Sequence, residues 1–321
     1  MPSLTVISQE ISIYFGIFVF ITGTIGGSFN IIVFLSLKTF RESACVFYLT
    51  ILSIVNIGIL ITGQLTRILI SGYNIDWTQT SLFYCKFRIY SLQTSTLISM
   101  TCICLAILDQ YFSTSLPIRY RQLSQIKIAH RICGLIVCFW AVVNCPYLIY
   151  YTHIQSSSVQ NQITCSTTNN AFLQYVNYVS AISLARIMPL IIMGIFGFLS
   201  HKNIQRLSHR TLPIIRRELD KQLTLMIFTQ AIVACLIILP YIVLYFVMMI
   251  PNLDSNTLTQ LKFVSSLCSA IYYLYFSSPF YIYFCSSSRF RRQLKYVVFD
   301  IYVRQCRPQQ IHPNQIAPQI S

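Results

Sequence analysis

Charged side chains are scarce in this sequence, and acidic side chains are the scarcest. Only 10% of the 321 residues are charged, and 8 Asp and Glu stand against 23 Lys and Arg. A soluble domain carries about 25% charged residues, so a globular surface in water is excluded. Hydrophobic residues make up 55% of the chain, and a bilayer accepts helices whose outer faces are apolar. The chain is therefore predicted to be a membrane protein.

Features typical of secreted, metal-binding and transport proteins are also missing. Residues 1–10 hold no Lys or Arg, and the first apolar stretch is too long for a signal-peptide core, so no cleavable signal is expected. No Asn-x-Ser/Thr acceptor occurs. Neither a metal site nor a cofactor is predicted, because the histidines lie at span ends, in loops or in the tail without metal-ligand spacing; they are His130, His153, His201, His209 and His312. The chain shows no internal repeat, no mid-membrane carboxylate and no paired catalytic groups. A transporter or channel is thus the less favoured alternative, and an enzyme is not expected.

What the chain does contain is seven long apolar stretches. About 20 apolar residues cross the hydrocarbon core of a bilayer, and each stretch reaches that length. They cover roughly 11–37, 44–71, 82–112, 130–151, 172–200, 219–250 and 258–285. The predicted fold is an all-α membrane protein, a seven-transmembrane helix bundle over 11–285, preceded by an extracellular N-terminus at 1–10.

Basic residues indicate how the bundle is oriented. Most of them fall in the connections 38–43, 113–131 and 201–221 and in the tail 286–321, whereas the other side holds only Arg67, Lys86, Arg88 and Lys262. The positive-inside rule therefore predicts an outer N-terminus and a cytosolic C-terminus in the plasma membrane. The net charge of +15 is interpreted as topology and contact with anionic lipids, and no nucleic-acid partner is expected.

The segment after the last span divides into two parts. Residues 286–303 place apolar side chains at helical spacing between Arg and Lys, which predicts a short amphipathic helix on the inner leaflet; the apolar positions are Phe290, Leu294, Val297, Val298 and Ile301. Residues 304–321 are rich in Pro and Gln and are predicted to be disordered. Cys306 is a candidate for lipidation, and an unmodified cysteine is the alternative.

Twelve cysteines occur, and two of them differ from the rest. Most lie inside spans, where cysteine behaves as a small apolar residue. Cys85 and Cys165 fall at the outer edge of the predicted bundle, in an oxidising compartment. A disulfide between them is predicted, with two free thiols as the alternative.

Motifs along residues 10–303 resemble those of the rhodopsin-like family of G-protein-coupled receptors, which includes peptide and chemosensory receptors of invertebrates. Asn30 stands in a sequence similar to Gly-Asn-x-x-Val, Asn56 in one similar to Leu-Ala-x-x-Asp, and Asp109-Gln110-Tyr111 in place of Asp-Arg-Tyr. The remaining matches are Pro117-Ile118-Arg119-Tyr120, Trp140, Pro189, Leu239-Pro240, Ser278-Pro279 with Tyr283, and Phe290.

The resemblance implies that an extracellular ligand shifts the bundle between two states and promotes nucleotide exchange on a heterotrimeric G protein. Residues implied in coupling are Asp109, Gln110, Tyr111, Pro117 and Asp220. Gln110 replaces the family's arginine and forms no ion pair, so the expected contact is a weaker lock made of hydrogen bonds. The rival interpretation is a decoy receptor that does not signal.

A second group of residues is implied in the conformational switch. It consists of Asn30, Asn56, Ser99, Pro240, Ser278, Pro279 and Tyr283. Asn56 and Ser278 replace the family's aspartate and asparagine, and without the carboxylate no sodium site is expected. The buried amides and hydroxyls fit a switch and simple helix-to-helix attachment equally well. Tyr281 and Tyr283 flank the usual tyrosine position, and either could face the bundle.

The ligand pocket is expected in the outer half of the bundle. Leu92 and Tyr272 are both predicted to contact the ligand. Leu92 replaces the aspartate of amine receptors, and Tyr272 the retinal lysine of opsins, so neither an amine nor retinal is expected as the ligand. The remaining polar candidates are Gln64, Arg67, Arg88, Gln93, Gln174 and Arg186. Arg186 lies inside a span, where a charge costs about 2.5–3.5 kcal/mol, and this favours a wet, cationic pocket for an acidic ligand such as a peptide carboxylate or a small anion. An amidated peptide is the alternative ligand, and Arg67 and Arg88 could instead only flank helix ends.

Overall fold

Long helices dominate the computed structural model, which describes residues 4–115, 117–155, 163–207, 214–248 and 255–301. We number the main helices in chain order. They are α1 (Leu4–Ser36), α2 (Ala44–Gly72), α3 (Leu82–Thr114), α4 (Ile126–Tyr150), α5 (Asn170–Gln174, Tyr175–Ile187 and Met188–Leu207 in succession), α6 (Ile214–Met248), α7 (Ser255–Ser277), α8 (Pro279–Ser286) and α9 (Ser288–Lys295).

Helix length and composition agree with a membrane bundle. Helices α1 to α6 are long and apolar enough to cross a bilayer, and α7 contributes a shorter apolar stretch, Phe263–Ser277, which α8 continues after a break at Ser278. The predicted seven-helix, all-α fold is confirmed. Helix α1 begins at Leu4, so most of the segment 1–10 is helical.

The core lies where the helices meet, and the outer faces of the helices are apolar and exposed. Phe34 of α1 and Leu49 and Leu52 of α2 are fully buried in one continuous cluster. On α4, by contrast, Leu135 is 71% exposed and Val142 is 70% exposed. Such side chains would be costly in water, whereas in a bilayer they contact lipid.

The prolines of the last four membrane helices alter them in different ways. Pro146 follows a one-residue break in α4, and Pro279 follows the break at Ser278. Pro189 lies just after the π-helical segment Tyr175–Ile187 of α5, whereas Pro240 lies inside α6 without ending it. Proline lacks an N–H donor, so each frees a backbone carbonyl one turn earlier, and α5 accommodates this by widening its turns.

A disulfide and a hairpin cover one end of the bundle, which we call the disulfide end. Strands β1 (Tyr151–Gln155) and β2 (Ile163–Thr167) pair antiparallel. Cys165 of β2 is bonded to Cys85 at the start of α3, with a Cα–Cα distance of 5.8 Å, and this confirms the predicted bridge. The ring of Tyr151 packs beside Phe172, and burial there raises the pKa of the Tyr151 phenol.

Helix α9 lies at the opposite end, which we call the Gln110 end. Ser287 caps it by accepting a hydrogen bond from the Phe290 N–H at 3.1 Å, and the fully buried Phe290 ring packs against Phe34 at 5.7 Å. A π-helical turn, Tyr296–Ile301, continues the helix. Arg292 and Lys295 are exposed, as an amphipathic helix requires. Cys306 and the predicted tail 304–321 lie outside the described residues.

Candidate functional site

A cavity of about 220 Å³ lies among α2, α3, α5, α6 and α7 in the half of the bundle near the disulfide. All six residues predicted to contact the ligand line it, namely Arg67, Arg88, Leu92, Gln93, Arg186 and Tyr272. The other two polar candidates do not. Gln174 is exposed, and Gln64 donates instead to the carbonyl of Gly16 at 3.2 Å.

Arg186 is the most enclosed charge in the cavity. It belongs to the π-helical segment of α5 and is only 9% exposed. Its Nη1 donates to the carbonyl of Ala181 in the preceding turn. The guanidinium lies over the ring of Tyr241 at 4.5 Å and over that of Tyr272 at 5.1 Å, so two aromatic faces stabilise the cation. Its Nε is buried and has no partner.

Arg67 and Arg88 enter the cavity from α2 and α3. Arg67 lies between two π-helical segments of α2, and its Nη2 donates to the backbone carbonyl of Ser266 and to the Ser266 hydroxyl at 3.1 Å. The Nε of Arg88 is buried without a partner. Arg67 is thus tied to α7, whereas Arg88 and Arg186 each keep an unused donor.

Neutral side chains complete the cavity wall. Gln93 donates to the Ser180 hydroxyl at 2.7 Å, which joins α3 to α5. Gly63 of α2 allows a close approach, because a Cβ there would meet both Leu92 Cδ1 and the Tyr273 hydroxyl at 2.7 Å. Tyr241 and Tyr273 also line the cavity, and the sequence reasoning missed both. Tyrosine is frequent throughout this chain, with 21 residues, so its type alone carried no signal.

The cavity has a strongly positive lining. Of the thirteen described residues that line it, three are arginines and none is Asp or Glu. Three guanidinium groups in a partly desolvated space repel one another and attract anions. The arrangement can therefore bind an acidic group, and its described lining residues offer no carboxylate to pair with a cationic ligand.

At the Gln110 end, α3 and α6 are joined by a neutral hydrogen bond. Gln110 is 2% exposed, and its Oε1 accepts from the Thr224 hydroxyl at 3.0 Å. Thr224 lies one helical turn beyond Asp220, another of the residues implied in coupling. Asp109 is buried, and Tyr111 packs edge-on against Phe196 of α5 at 5.4 Å.

Pro117 does not join this contact between helices. It is exposed and precedes a short helical turn, Ile118–Leu123, in the connection from α3 to α4. It lies next to the surface that the Gln110 end presents.

Asn56 forms a small polar cluster in the middle of the bundle. Its Oδ1 accepts from the Ser99 hydroxyl at 2.6 Å, and its Nδ2 donates to the Phe276 carbonyl at 3.3 Å, so the cluster links α2, α3 and α7. The Ser278 hydroxyl donates instead within its own helix, to the Tyr275 carbonyl at 2.9 Å. Asn30 keeps a buried Oδ1 without a partner. Of the four polar residues predicted to take part in the switch (Asn30, Asn56, Ser99 and Ser278), the structure therefore bonds Asn56 to Ser99.

A further polar contact joins α6 to α8, and the sequence reasoning missed one of its members. Tyr283 is fully buried, and its hydroxyl donates to Oε1 of the fully buried Gln230. Tyr281, in contrast, is 44% exposed, so Tyr283 is the tyrosine that faces the bundle. Gln230 is a lone amide within an apolar run of α6, a pattern that could have marked it.

Residues 28–281 match the family model described as 7 transmembrane receptor (rhodopsin family). A comparison with curated proteins found no match.

Proposed function

We propose that this chain, which belongs to the rhodopsin family of seven-transmembrane receptors, binds an extracellular ligand in the cavity and promotes nucleotide exchange on a heterotrimeric G protein. The ligand is a peptide or a small polar molecule with an acidic group. The observation that carries the proposal is that α3 and α6 both line the cavity, through Gln93 and Tyr241, and are bonded to each other at the far end, through Gln110 and Thr224.

The distribution of charge supports an outward cavity. Exposed basic residues gather at the Gln110 end, among them Arg119, Lys127 and Arg292, which the positive-inside rule assigns to the cytosol. The Cys85–Cys165 bridge lies at the other end, as expected for an oxidising exterior. In this orientation the multi-pass chain in the plasma membrane presents its cavity to extracellular ligands and its Gln110 end to the G protein.

Several hydrogen bonds hold α6 against its neighbours at the Gln110 end. Thr224 bonds Gln110 of α3, and Gln230 bonds Tyr283 of α8. Gln222 accepts from the Ser287 hydroxyl and the Arg289 N–H and donates to the Ser288 hydroxyl. An outward movement of this end of α6 breaks the bonds of Thr224 and Gln230. Such bonds within a membrane are worth about 0.6 kcal/mol each on average, so the ligand needs to favour the open state by only a few kcal/mol to shift the population. A guanidinium at position 110 would add charge pairs, and the glutamine therefore makes a weaker lock.

A decoy receptor is the second candidate, and one observation favours it. The side chain at position 110 is a buried amide already engaged by Thr224, so this position offers the G protein no cation. The two candidates share the fold and the cavity, and they differ in whether the open state engages a G protein.

A sensor of Gα–Gβγ dissociation in cells expressing the chain tests the proposal. Wild type, Gln110→Arg and Arg186→Ala are compared at matched surface expression, with a pool of peptides and small anions. The receptor proposal expects a wild-type response that Arg186→Ala loses, and raised basal activity that Gln110→Arg lowers. Silence of wild type with activity in Gln110→Arg would support the decoy. Basal activity that does not fall in Gln110→Arg would contradict the weak-lock explanation.

A further inference from the structure

We propose that the cavity selects a small dianion, whose two negative charges pair with Arg88 and Arg186. This inference deepens the proposed function, because it takes the cavity to be the ligand site of the receptor. It goes beyond an acidic ligand in general by fixing the number of charges, the size of the ligand and the two cations that contact it.

The number of charges follows from how the three arginines are engaged. Arg67 already donates to the carbonyl and the hydroxyl of Ser266, so its guanidinium is held by α7. Arg88 and Arg186 each keep a buried Nε without a partner, and an unpartnered buried donor is unfavourable until a ligand satisfies it. Two guanidinium groups with unused donors match two negative charges.

The geometry of Arg186 favours an oxyanion. The residue is 9% exposed, and its Nη1 is turned toward the Ala181 carbonyl, which leaves the edge that carries Nε. A carboxylate or phosphate binds such an edge with two parallel hydrogen bonds. The rings of Tyr241 and Tyr272 lie against the guanidinium at 4.5 and 5.1 Å and fix its plane, so little side-chain freedom is lost when the anion binds.

Charge balance disfavours a monoanion. None of the thirteen described lining residues is acidic, so a ligand with one charge leaves two cations facing each other without compensation. A dianion leaves only Arg67, whose charge the Ser266 carbonyl and hydroxyl already stabilise. The second negative charge thus relieves repulsion between guanidinium groups that the first charge leaves in place.

The volume of the cavity indicates the size of the ligand portion that fits inside it. A water molecule takes about 30 Å³ in the liquid, so a cavity of about 220 Å³ holds roughly seven water-sized groups. A four-carbon dicarboxylate or the phosphate ester of a three-carbon alcohol fits this space. Both carry two charges near pH 7.5, because carboxylates titrate near pH 4 and the second phosphate proton near pH 6.

The test is thermal unfolding of the purified full-length receptor in detergent, with three probes. Succinate supplies two carboxylates, glycerol 3-phosphate supplies a doubly charged phosphate, and succinamic acid supplies a single carboxylate at the same size. We expect at least one dianion to raise the Tm with an apparent affinity about tenfold or more above that of succinamic acid. Whichever dianion binds more tightly identifies the carboxylate or the phosphate source.

Variants separate charge recognition from general stability. Arg88→Gln and Arg186→Gln should each remove the preference for the dianion, so that succinate and succinamic acid bind equally. Arg131→Gln, an exposed arginine on α4 far from the cavity, is the matched control and should keep the preference. Affinities for both dianions no higher than that for succinamic acid in wild type, or no Tm shift with either dianion, would overturn the inference.

The thermal-unfolding test and the G-protein assay can fail separately. Dianion binding without G-protein dissociation would support the site and contradict signalling. G-protein dissociation driven by a peptide, with no Tm shift from any dianion, would support the proposed function and contradict the dianion site.

Discussion

The cavity and the Gln110 end differ in the charge of their buried polar side chains. In the cavity, two arginines keep buried donors without partners, and none of the described lining residues is acidic. At the Gln110 end, by contrast, Gln110 accepts from Thr224 and Gln230 from Tyr283, so neutral groups bond across helices. The buried atoms that lack a partner there, Ser200 Oγ and Gln230 Nε2, are neutral as well. Ligand binding stabilises the cavity, whereas opening costs the Gln110 end its hydrogen bonds. A ligand activates the receptor only when the stabilisation in the cavity exceeds the cost of opening the Gln110 end.

Removing the disulfide should have the largest effect and should act on the cavity half alone. Cys85→Ser releases β2 from the start of α3, and loss of a native disulfide typically costs about 2–5 kcal/mol. We expect a marked fall in Tm and loss of ligand binding. Thermal unfolding and binding of purified receptor would check this, with Cys285→Ser, an exposed cysteine at the other end, as the control. An unchanged affinity for the ligand would show that the hairpin does not shape the cavity.

Arg186→Gln should separate stability from binding. The variant removes a buried cation that has an unpartnered Nε, so the Tm of the empty receptor should not fall, despite the loss of two cation–π contacts worth about 0.5–2 kcal/mol each. Affinity for an anionic ligand should fall roughly 10- to 150-fold, because a hydrogen bond to a charged group is worth about 1.5–3 kcal/mol. A large fall in Tm with unchanged affinity would reverse our interpretation of the cavity.

Thr224→Val should change the basal activity at the Gln110 end, whereas Arg186→Gln changes ligand affinity in the cavity. The isosteric valine leaves the buried Oε1 of Gln110 without its donor, which costs about 1 kcal/mol and favours the open state about fivefold. Raised basal dissociation of Gα from Gβγ would show the shift toward the open state. Thr22→Val on α1, whose hydroxyl donates only within its own helix, is the matched control. Basal activity below that of wild type would contradict a lock at Gln110.

Tyr283→Phe should produce the smallest change in this series. It removes one hydroxyl that donates to Gln230 and keeps the buried ring, so about 0.6 kcal/mol, or about threefold in basal activity, is expected. Tyr281→Phe removes the hydroxyl of an exposed tyrosine two residues earlier, which donates to the Thr22 carbonyl of α1 and not to α6, and should leave the activity unchanged. If both variants behave alike, the contact between α6 and α8 has no part in the switch.

The sequence predicted the features that depend on residue type in an unusual place. An arginine inside an apolar run marked Arg186, and a pair of cysteines at the outer edge marked the disulfide. Tyr241 and Tyr273 went unnoticed, because aromatic residues are common on every helix and only the packing selects those that face the cavity. The acceptor for the Asn56 amide N–H could not be predicted either. It is the Phe276 carbonyl, which lies just before the break at Ser278, and the residue type does not indicate which backbone carbonyls accept a side-chain hydrogen bond.

The central claim is that the cavity and the Gln110 end are coupled through α3 and α6. Coupling is reciprocal, so it can be measured from the ligand side as the affinity of the purified receptor for succinate or glycerol 3-phosphate, with and without nucleotide-free G protein. We expect the affinity to rise about 5- to 150-fold when the G protein is bound, and Arg186→Gln to lower the affinity in both states. Equal affinity with and without the G protein would contradict the claim.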